Sequence, residues 1–417
     1  MNRFNRPSTG WLTLLSVVLG LAVLIGLTSV NLNFTRQNPG GNDFLVQWVG
    51  TRALLIDGLS PYDPQVSLRI QQMVYSRPAQ TGENEMVYVY PLYSQIFFVP
   101  FALFADYALA RALWMTTLQV LFVTVGLLSL RLTRWQPAPW LLGVYLLFTV
   151  LWYHGVRTII NGNEVGLTAF FVVAALLATR ANLDELAGIL AAFSTIKPQI
   201  VVLWIPLLLL WAFSWRRWRL IAWFFGSMAL LIGLGILFVP DWLWQNLREI
   251  LRYPGYNPPG SPQAVFALYL PGAGRQLGLG LSIFLGLVML SEWVLAWRKE
   301  FNAFLWTSCL TLLITQWSGI QTDPGNFIVL FLPLVLVWAM LEKRYGAPAR
   351  WVNLALILLL LIGLWWIFIA TIEYGDQPVQ SPLMFFPLPL FLFIGLYWVR
   401  WWAVRSDPPT LDIRGLR

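Results

Sequence analysis

The chain has 417 residues, of which 58% are hydrophobic and only 11% charged. A soluble domain carries about 25% charged residues, so composition excludes a soluble enzyme, a nucleic-acid binder and a disordered chain. The net charge of +8 rests on 27 Lys and Arg against 19 Asp and Glu, and the basic residues gather between apolar runs, which reads as membrane topology.

Arg3 and Arg6 precede an apolar run at 11–30. A signal peptide has an apolar core of about 7–15 residues and a small-residue cleavage site, so this run reads as a retained first helix. Residues 31–91 form the longest polar stretch. After Gly40-Gly41-Asn42-Asp43, the residues Leu45, Trp48, Val49, Arg52, Ala53 and Ile56 share one face at helical spacing. They predict an amphipathic helix lying along the membrane surface. The segment 93–104 is too short for a confident span. Further apolar runs follow at 108–130, 140–156, 165–179, 220–239, 277–297, 303–317, 327–341, 352–372 and 384–404. The run 186–213 is divided at Lys197-Pro198, because proline breaks the helix ladder and disfavours helix in the residue before it. A second polar stretch at 240–275 carries a turn-rich run over 254–260.

These runs predict an all-α membrane protein, a polytopic bundle of about twelve transmembrane helices by the span-length criterion. With the N-terminus in the cytoplasm, Arg131, Arg134, Arg180, Arg216, Arg217, Arg219, Arg298, Lys299, Lys343, Arg344, Arg350, Arg405, Arg414 and Arg417 all fall inside. Both termini are then cytoplasmic and the long polar stretches lie outside. This topology makes 186–213 a hairpin that enters and returns. The rival makes 93–104 a span and 186–213 one kinked span.

Cys309 is the single cysteine and His154 the single histidine, which leaves no disulfide framework and no multi-histidine metal site within the chain. Asp43 opens a helix, where a carboxylate serves as a cap or as a base, since both uses share one geometry. Tyr62, in Pro61-Tyr62-Asp63-Pro64, reads as loop packing or as a ligand contact. Tyr90, in Tyr88-Val89-Tyr90, reads as an interfacial anchor. His154, Arg157, Asn161, Asn163 and Glu164 crowd one outer turn. Capping by the asparagines and an Arg157–Glu164 ion pair account for part of this. The functional alternative is a polar site at the outer interface. Lys197, alone between apolar half-helices, is the sharpest signal, because an intramembrane charge is costly and marks function by default. Its compact ammonium suits phosphate. Glu292, within an apolar run and one turn from Arg298, reads as an intrahelical or interface residue, and Asp323, in a polar turn over 321–326, reads as a cap.

In order, Asn42-Asp43-Phe44, Arg52-Ala53-Leu54-Leu55, Pro61-Tyr62-Asp63-Pro64, Tyr88-Val89-Tyr90-Pro91-Leu92, Asn161-Gly162-Asn163 and Ile196-Lys197-Pro198 resemble the GT-C superfamily of integral-membrane glycosyltransferases. Within it they are most similar to glycosyltransferase family 87, the polyprenyl-phosphate-mannose-dependent mannosyltransferase type. The resemblance covers most of residues 1–240, read as a catalytic module with its first outer loop at 31–91. Residues 241–417 read as a variable C-terminal transmembrane module. The resemblance implies Asp43 as catalytic base, Lys197 and Arg157 on the donor phosphate, and inversion at the anomeric carbon. Arg52, Tyr62, Tyr90, His154, Asn161, Asn163, Glu164 and Asp323 are the further substrate-binding candidates. Where the family usually has Gly-Gln, this chain has Gly162-Asn163-Glu164.

The implied partners are a polyprenyl-phosphate-sugar donor, a lipid or glycan acceptor and membrane lipids, with no nucleic acid. No cofactor is required; some GT-C relatives use a divalent metal, but no carboxylate cluster in the sequence calls for one. The absence of a Gly-rich phosphate loop argues against a nucleotide-sugar donor. The implied setting is a bacterial plasma membrane with the site on its outer face. The competing class is a transporter or flippase of a lipid-linked sugar, since a broken helix bearing a charge is also a transporter feature.

Overall fold

The computed structural model describes residues 9–256, 260–318, 323–372 and 380–405. Arg3, Arg6, Arg414, Arg417 and residues 257–259 and 321–322, invoked above, lie outside them. Every regular element among the described residues is helical. The first polar stretch follows α1 (Thr9–Gln37) and contains α2 (Asn42–Arg52), a π-helical turn (Ala53–Asp57) and α3 (Pro64–Tyr75). A 3₁₀ turn (Leu92–Phe97) and the one-turn α4 (Val99–Ala102) lead into α5 (Tyr107–Thr133), α6 (Pro139–Leu151), α7 (Tyr153–Asn161) and α8 (Val165–Arg180). The broken segment consists of α9 (Asp184–Ser194), the one-turn α10 (Pro198–Val201) and α11 (Trp204–Ser214). Next come α12 (Trp218–Phe238), α13 (Trp242–Tyr256), α14 (Pro262–Tyr269), α15 (Gly274–Ala296) and α16 (Phe301–Trp317). A 3₁₀ turn (Pro324–Leu330) enters α17 (Phe331–Tyr345); α18 (Ala347–Thr371) follows, and another (Pro382–Phe385) enters α19 (Pro387–Ala403).

Among the described residues seven helical segments are long and apolar enough to cross a membrane, or eight if α6 and α7, bent by 43°, form one span. The expected dozen is not reached by this criterion, because several apolar runs form helices shorter than a span. α9 and α11 have 11 residues each, about 17 Å at 1.5 Å per residue, roughly half of a ~30 Å hydrocarbon core.

The hairpin closes on itself. Arg217, just past α11, bonds Asp184 at the start of α9 and donates to the Thr179 carbonyl at 2.9 Å. Both ends of the broken segment thus lie together, and Lys197 sits at its tip in a non-helical conformation before Pro198. The 93–104 segment stays at the tip's end. Tyr93 Oη reaches the Thr195 hydroxyl at 2.9 Å, and Arg52 donates to the Ala102 carbonyl at 2.7 Å.

α2 is not the surface helix its spacing predicts. Residues 44–51 are buried without interruption, because 99–104 folds over the face assigned to lipid. α3 is the one-sided helix, burying Val66, Ser67, Ile70 and Gln71 while Leu68 stays exposed. At the bundle's centre α16 is buried from Ala303 to Trp317. Glu292 pairs with Arg400 at 2.9 and 2.7 Å rather than with Arg298, tying α15 to α19.

The described basic residues assigned above to the cytoplasmic side gather at one end, while Arg52, Arg111, Arg157 and Lys197 lie at the other. Arg180 bonds the Leu132 carbonyl, Trp135 donates to Glu342 at 2.7 Å, Trp211 to the Lys299 carbonyl at 3.0 Å, and Asn302 to the Arg405 carbonyl at 3.2 Å. The opposite ends of α5 and α8 carry Tyr107 and Val165, and the polar cluster lies there.

Candidate active site

Two loops meet to form the cluster. The first runs from α1 through Gly40 (φ 131°) and Gly41 (φ 80°) to Asp43 in the opening turn of α2. The second is the turn between α7 and α8, through Gly162 (φ 73°). Both approaches require glycine. A Cβ on Gly41 would strike the Arg111 side chain and stand 3.0 Å from Tyr107 Oη, and one on Gly162 would strike Phe44 Cβ.

One face of α5 fixes both loops. Tyr107 Oη donates to the carbonyls of Gly40 and Gly41 at 2.9 and 3.0 Å. Arg111 donates to the Asn38 carbonyl and to the Ile160 carbonyl, 2.8 Å each. Trp114 Nε1 donates to the Gly162 carbonyl at 2.8 Å, and its ring stacks on Phe44 at 5.9 Å. The spacing of four and three residues puts these side chains on one side of a helix.

The loops bring Asp43 against two amides. Asn161 Nδ2 and Asn163 Nδ2 donate to Asp43 Oδ2 at 2.6 and 2.7 Å. Asp43 is therefore not the cap of α2; the cap position is Gly41, and no side chain bonds there. Asn163 is a node: its Oδ1 accepts from Lys197 Nζ at 2.6 Å and from the N–H of Val165, the first residue of α8, at 3.0 Å. Lys197 also pairs with Glu164 at 3.1 Å; the two residues are 3% and 0% exposed. The Tyr90 ring centroid stands 5.9 Å from Lys197 Nζ. Arg157 takes Asp323 instead of Glu164, through Nε and Nη2 at 2.9 and 3.1 Å, and Asp323 also accepts from the Gly325 N–H at 2.6 Å.

The cluster thus holds three carboxylates and two cations. Burial pushes the Asp43 carboxyl up to about 7; Lys197 pulls it down, Asp323 and Glu164 push it up, and the Asn163 hydrogen bond lowers it. With Asp43 ionised the five groups sum to one negative charge, and with Asp43 protonated they are neutral. Lys197 and Arg157 nevertheless keep N–H donors, since an ammonium has three and a guanidinium five.

Tyr62 and Arg52 bond backbone carbonyls rather than the carboxylates, while His154 lies beside the Asp323–Pro324 turn. Tyr62 Oη donates to the Tyr90 carbonyl at 2.6 Å and its ring packs on Tyr88 at 5.2 Å. Arg52 lies over Trp48 at 5.0 Å and holds the Ala102 carbonyl. His154 is fully buried among the rings of Trp152, Tyr153 and Phe327, at 5.1, 5.1 and 5.2 Å. Tyr107, Arg111 and Trp114 were not singled out from the sequence. Arg111 had a signal, because it is a charge inside the apolar run at 108–130.

A model of glycosyltransferase family 87 matches residues 88–316, more than half of the chain. No curated protein and no solved structure matches. The matched region carries Tyr90, Asn161, Asn163, Glu164 and Lys197, while Asp43 and Asp323 flank it. The chain belongs to glycosyltransferase family 87, and is a glycosyltransferase built of membrane-crossing helices.

Proposed function

We propose that the protein transfers a hexose, namely mannose, from a polyprenyl-phosphate-linked donor to a lipid or glycan acceptor at the outer face of the membrane. The observation that carries this reading is the Asp43 carboxyl, held by Asn161 and Asn163 and raised to about 7, beside Lys197. A base with that proton affinity suits general-base work near neutral pH. Asp43 takes the proton of the acceptor hydroxyl, the oxygen attacks the anomeric carbon from the face opposite the phosphate, and the bond from that carbon to the phosphate oxygen breaks. One displacement inverts the centre. The lipid phosphate leaves with one more negative charge, which the spare donors of Lys197 and Arg157 receive. The outer-face assignment follows the basic end, which the charge bias puts in the cytoplasm. The 1–240 module carries Asp43, Arg157 and Lys197, and the 241–417 module adds Asp323.

The test is Asp43→Asn in purified protein given polyprenyl-phosphate mannose and a membrane extract as acceptor source. Transfer should drop by about 10²–10⁴-fold with folding intact. Unchanged transfer refutes the base assignment. Movement of a lipid-linked sugar across liposomes without any transfer product would favour a flippase instead.

A further inference from the structure

The basic end holds a cavity of about 340 Å³ that the Asp43 cluster does not use. Four cations line it from the ends of four helices: Arg134 after α5, Arg180 closing α8, Lys343 in the last turn of α17 and Arg405 after α19. The one carboxylate in the wall, Glu342, is already held by Arg350 at 2.6 Å and by Trp135 Nε1 at 2.7 Å. Among the described residues none of the four cations belongs to an ion pair. Arg180 spends a donor on the Leu132 carbonyl, and Arg405 lies over the Trp401 ring at 4.1 Å.

The orientation bias explains why basic residues sit at this end. It does not explain their convergence on one concavity without acidic partners. Some other arginines at the same end are paired (Arg217 with Asp184, Arg219 with Glu185, Arg350 with Glu342), and Arg131, Arg216 and Arg298, which are not paired among the described residues, do not line this cavity. Unpaired like charges around one space repel, and an anion placed among them removes that cost. The rest of the wall is mixed, with polar Thr133, Gln136 and Asn302 beside apolar Leu305, Leu336, Met340 and Trp402. The cavity lies at the ends of α5, α17 and α19, which belong to segments long and apolar enough to cross a membrane. Basic pockets between helix ends are suited to anionic headgroups.

We propose that this cavity is a phosphate-binding site, filled by the headgroup of an anionic phospholipid whose chains follow the neighbouring apolar helix surfaces. Free phosphate offers the same anion without chains, so the experiment separates the two sources.

Purified, delipidated full-length protein is titrated with short-chain phosphatidylglycerol, short-chain phosphatidylcholine and inorganic phosphate, following the fluorescence of the tryptophans, two of which line the cavity (Trp135, Trp402). Phosphatidylglycerol should bind saturably and phosphatidylcholine should not. Arg134→Gln with Lys343→Gln, both exposed side chains, should weaken phosphatidylglycerol binding by about 30-fold, at roughly one interfacial charge's worth each. Arg216→Gln with Arg298→Gln removes the same charge outside the cavity and should change the affinity less than about threefold. Inorganic phosphate binding as tightly as the lipid, with the same loss in the cavity variant, keeps the site and assigns it to the free anion. Equal losses in the two double variants, binding of phosphatidylcholine as tight as phosphatidylglycerol, or no binding of either anion overturns the proposal.

Discussion

Asn163→Ala perturbs the site at its node. Asn163 donates to Asp43 at 2.7 Å and accepts from Lys197 at 2.6 Å. Its bond to Asp43 favours the ionised carboxylate, so losing it raises a carboxyl that already stands at about 7. A hydrogen bond to a charged group contributes about 1.5–3 kcal/mol, and 1.36 kcal/mol corresponds to one pH unit. Asn161 keeps its own bond to the same oxygen at 2.6 Å, so the lower part of that range applies, and the midpoint moves up by about 1 pH unit. The assay is kcat/KM for sugar transfer between about pH 5.5 and 9.5, a range bracketing the Asp43 midpoint. In the parent the rate should climb with pH through a one-proton limb near 7, where Asp43 loses its proton. In the variant the limb should stand about one unit higher, with rates about tenfold lower on the acid side and converging with the parent above it. General damage to the fold would lower the rate equally at every pH. A limb left in place, with or without a uniform loss of rate, refutes the reasoning.

Lys197→Ala should destabilise the protein by about 3–5 kcal/mol, because it leaves a buried carboxylate without its partner; Lys197→Ala with Glu164→Gln should restore the melting temperature but not the KM for the donor. Recovery of donor KM in the double variant would remove Lys197 from phosphate binding. The parent should lose stability between about pH 4 and 7, since the unfolded Asp43 gives up its proton near 3.8 and the folded one only near 7. Melting temperatures of parent and Asp43→Asn at pH 5 and 8 check this, and the variant should lack that part of the decline.

Much of the architecture could be read from apolar runs and prolines. The run lengths give an all-helical membrane chain, and Lys197-Pro198 marks the hairpin tip because proline there removes a ladder bond. What spacing could not settle was partnership. Arg157 and Glu164 lie seven residues apart in sequence, yet each takes a partner from elsewhere, Asp323 and Lys197. Those pairings depend on which helices meet at the tip, a tertiary fact. The α2 error has the same origin. The apolar spacing is there, but α2 is buried on every side, Gln47 and Thr51 included, with the 99–104 segment over part of it, and periodicity does not distinguish lipid from protein. Gly41 and Gly162 reveal their roles only once Arg111 and Phe44 are seen packed against them.

The balance of the cluster bears on why a raised aspartate suits the proposed reaction. In the proposed transfer, Asp43 gains the acceptor's proton and the lipid phosphate gains a negative charge. Charge therefore migrates from the carboxylate to the phosphate. A phosphate monoester holds its second proton with a pKa of about 6. A carboxyl near its ordinary 3.8 is the weaker base, so it would keep the negative charge and leave the proton to the departing phosphate. Pushed up to about 7 by burial, Asp43 matches the phosphate in proton affinity, so the negative charge is not trapped on the carboxylate. Two features of the fold produce that match. The carboxyl is buried, and the pairs Lys197–Glu164 and Arg157–Asp323 neutralise the cations that would otherwise pull it back towards its ordinary value. On this argument the counter-ions Glu164 and Asp323 tune the base, and the spare donors of Lys197 and Arg157 still meet the phosphate.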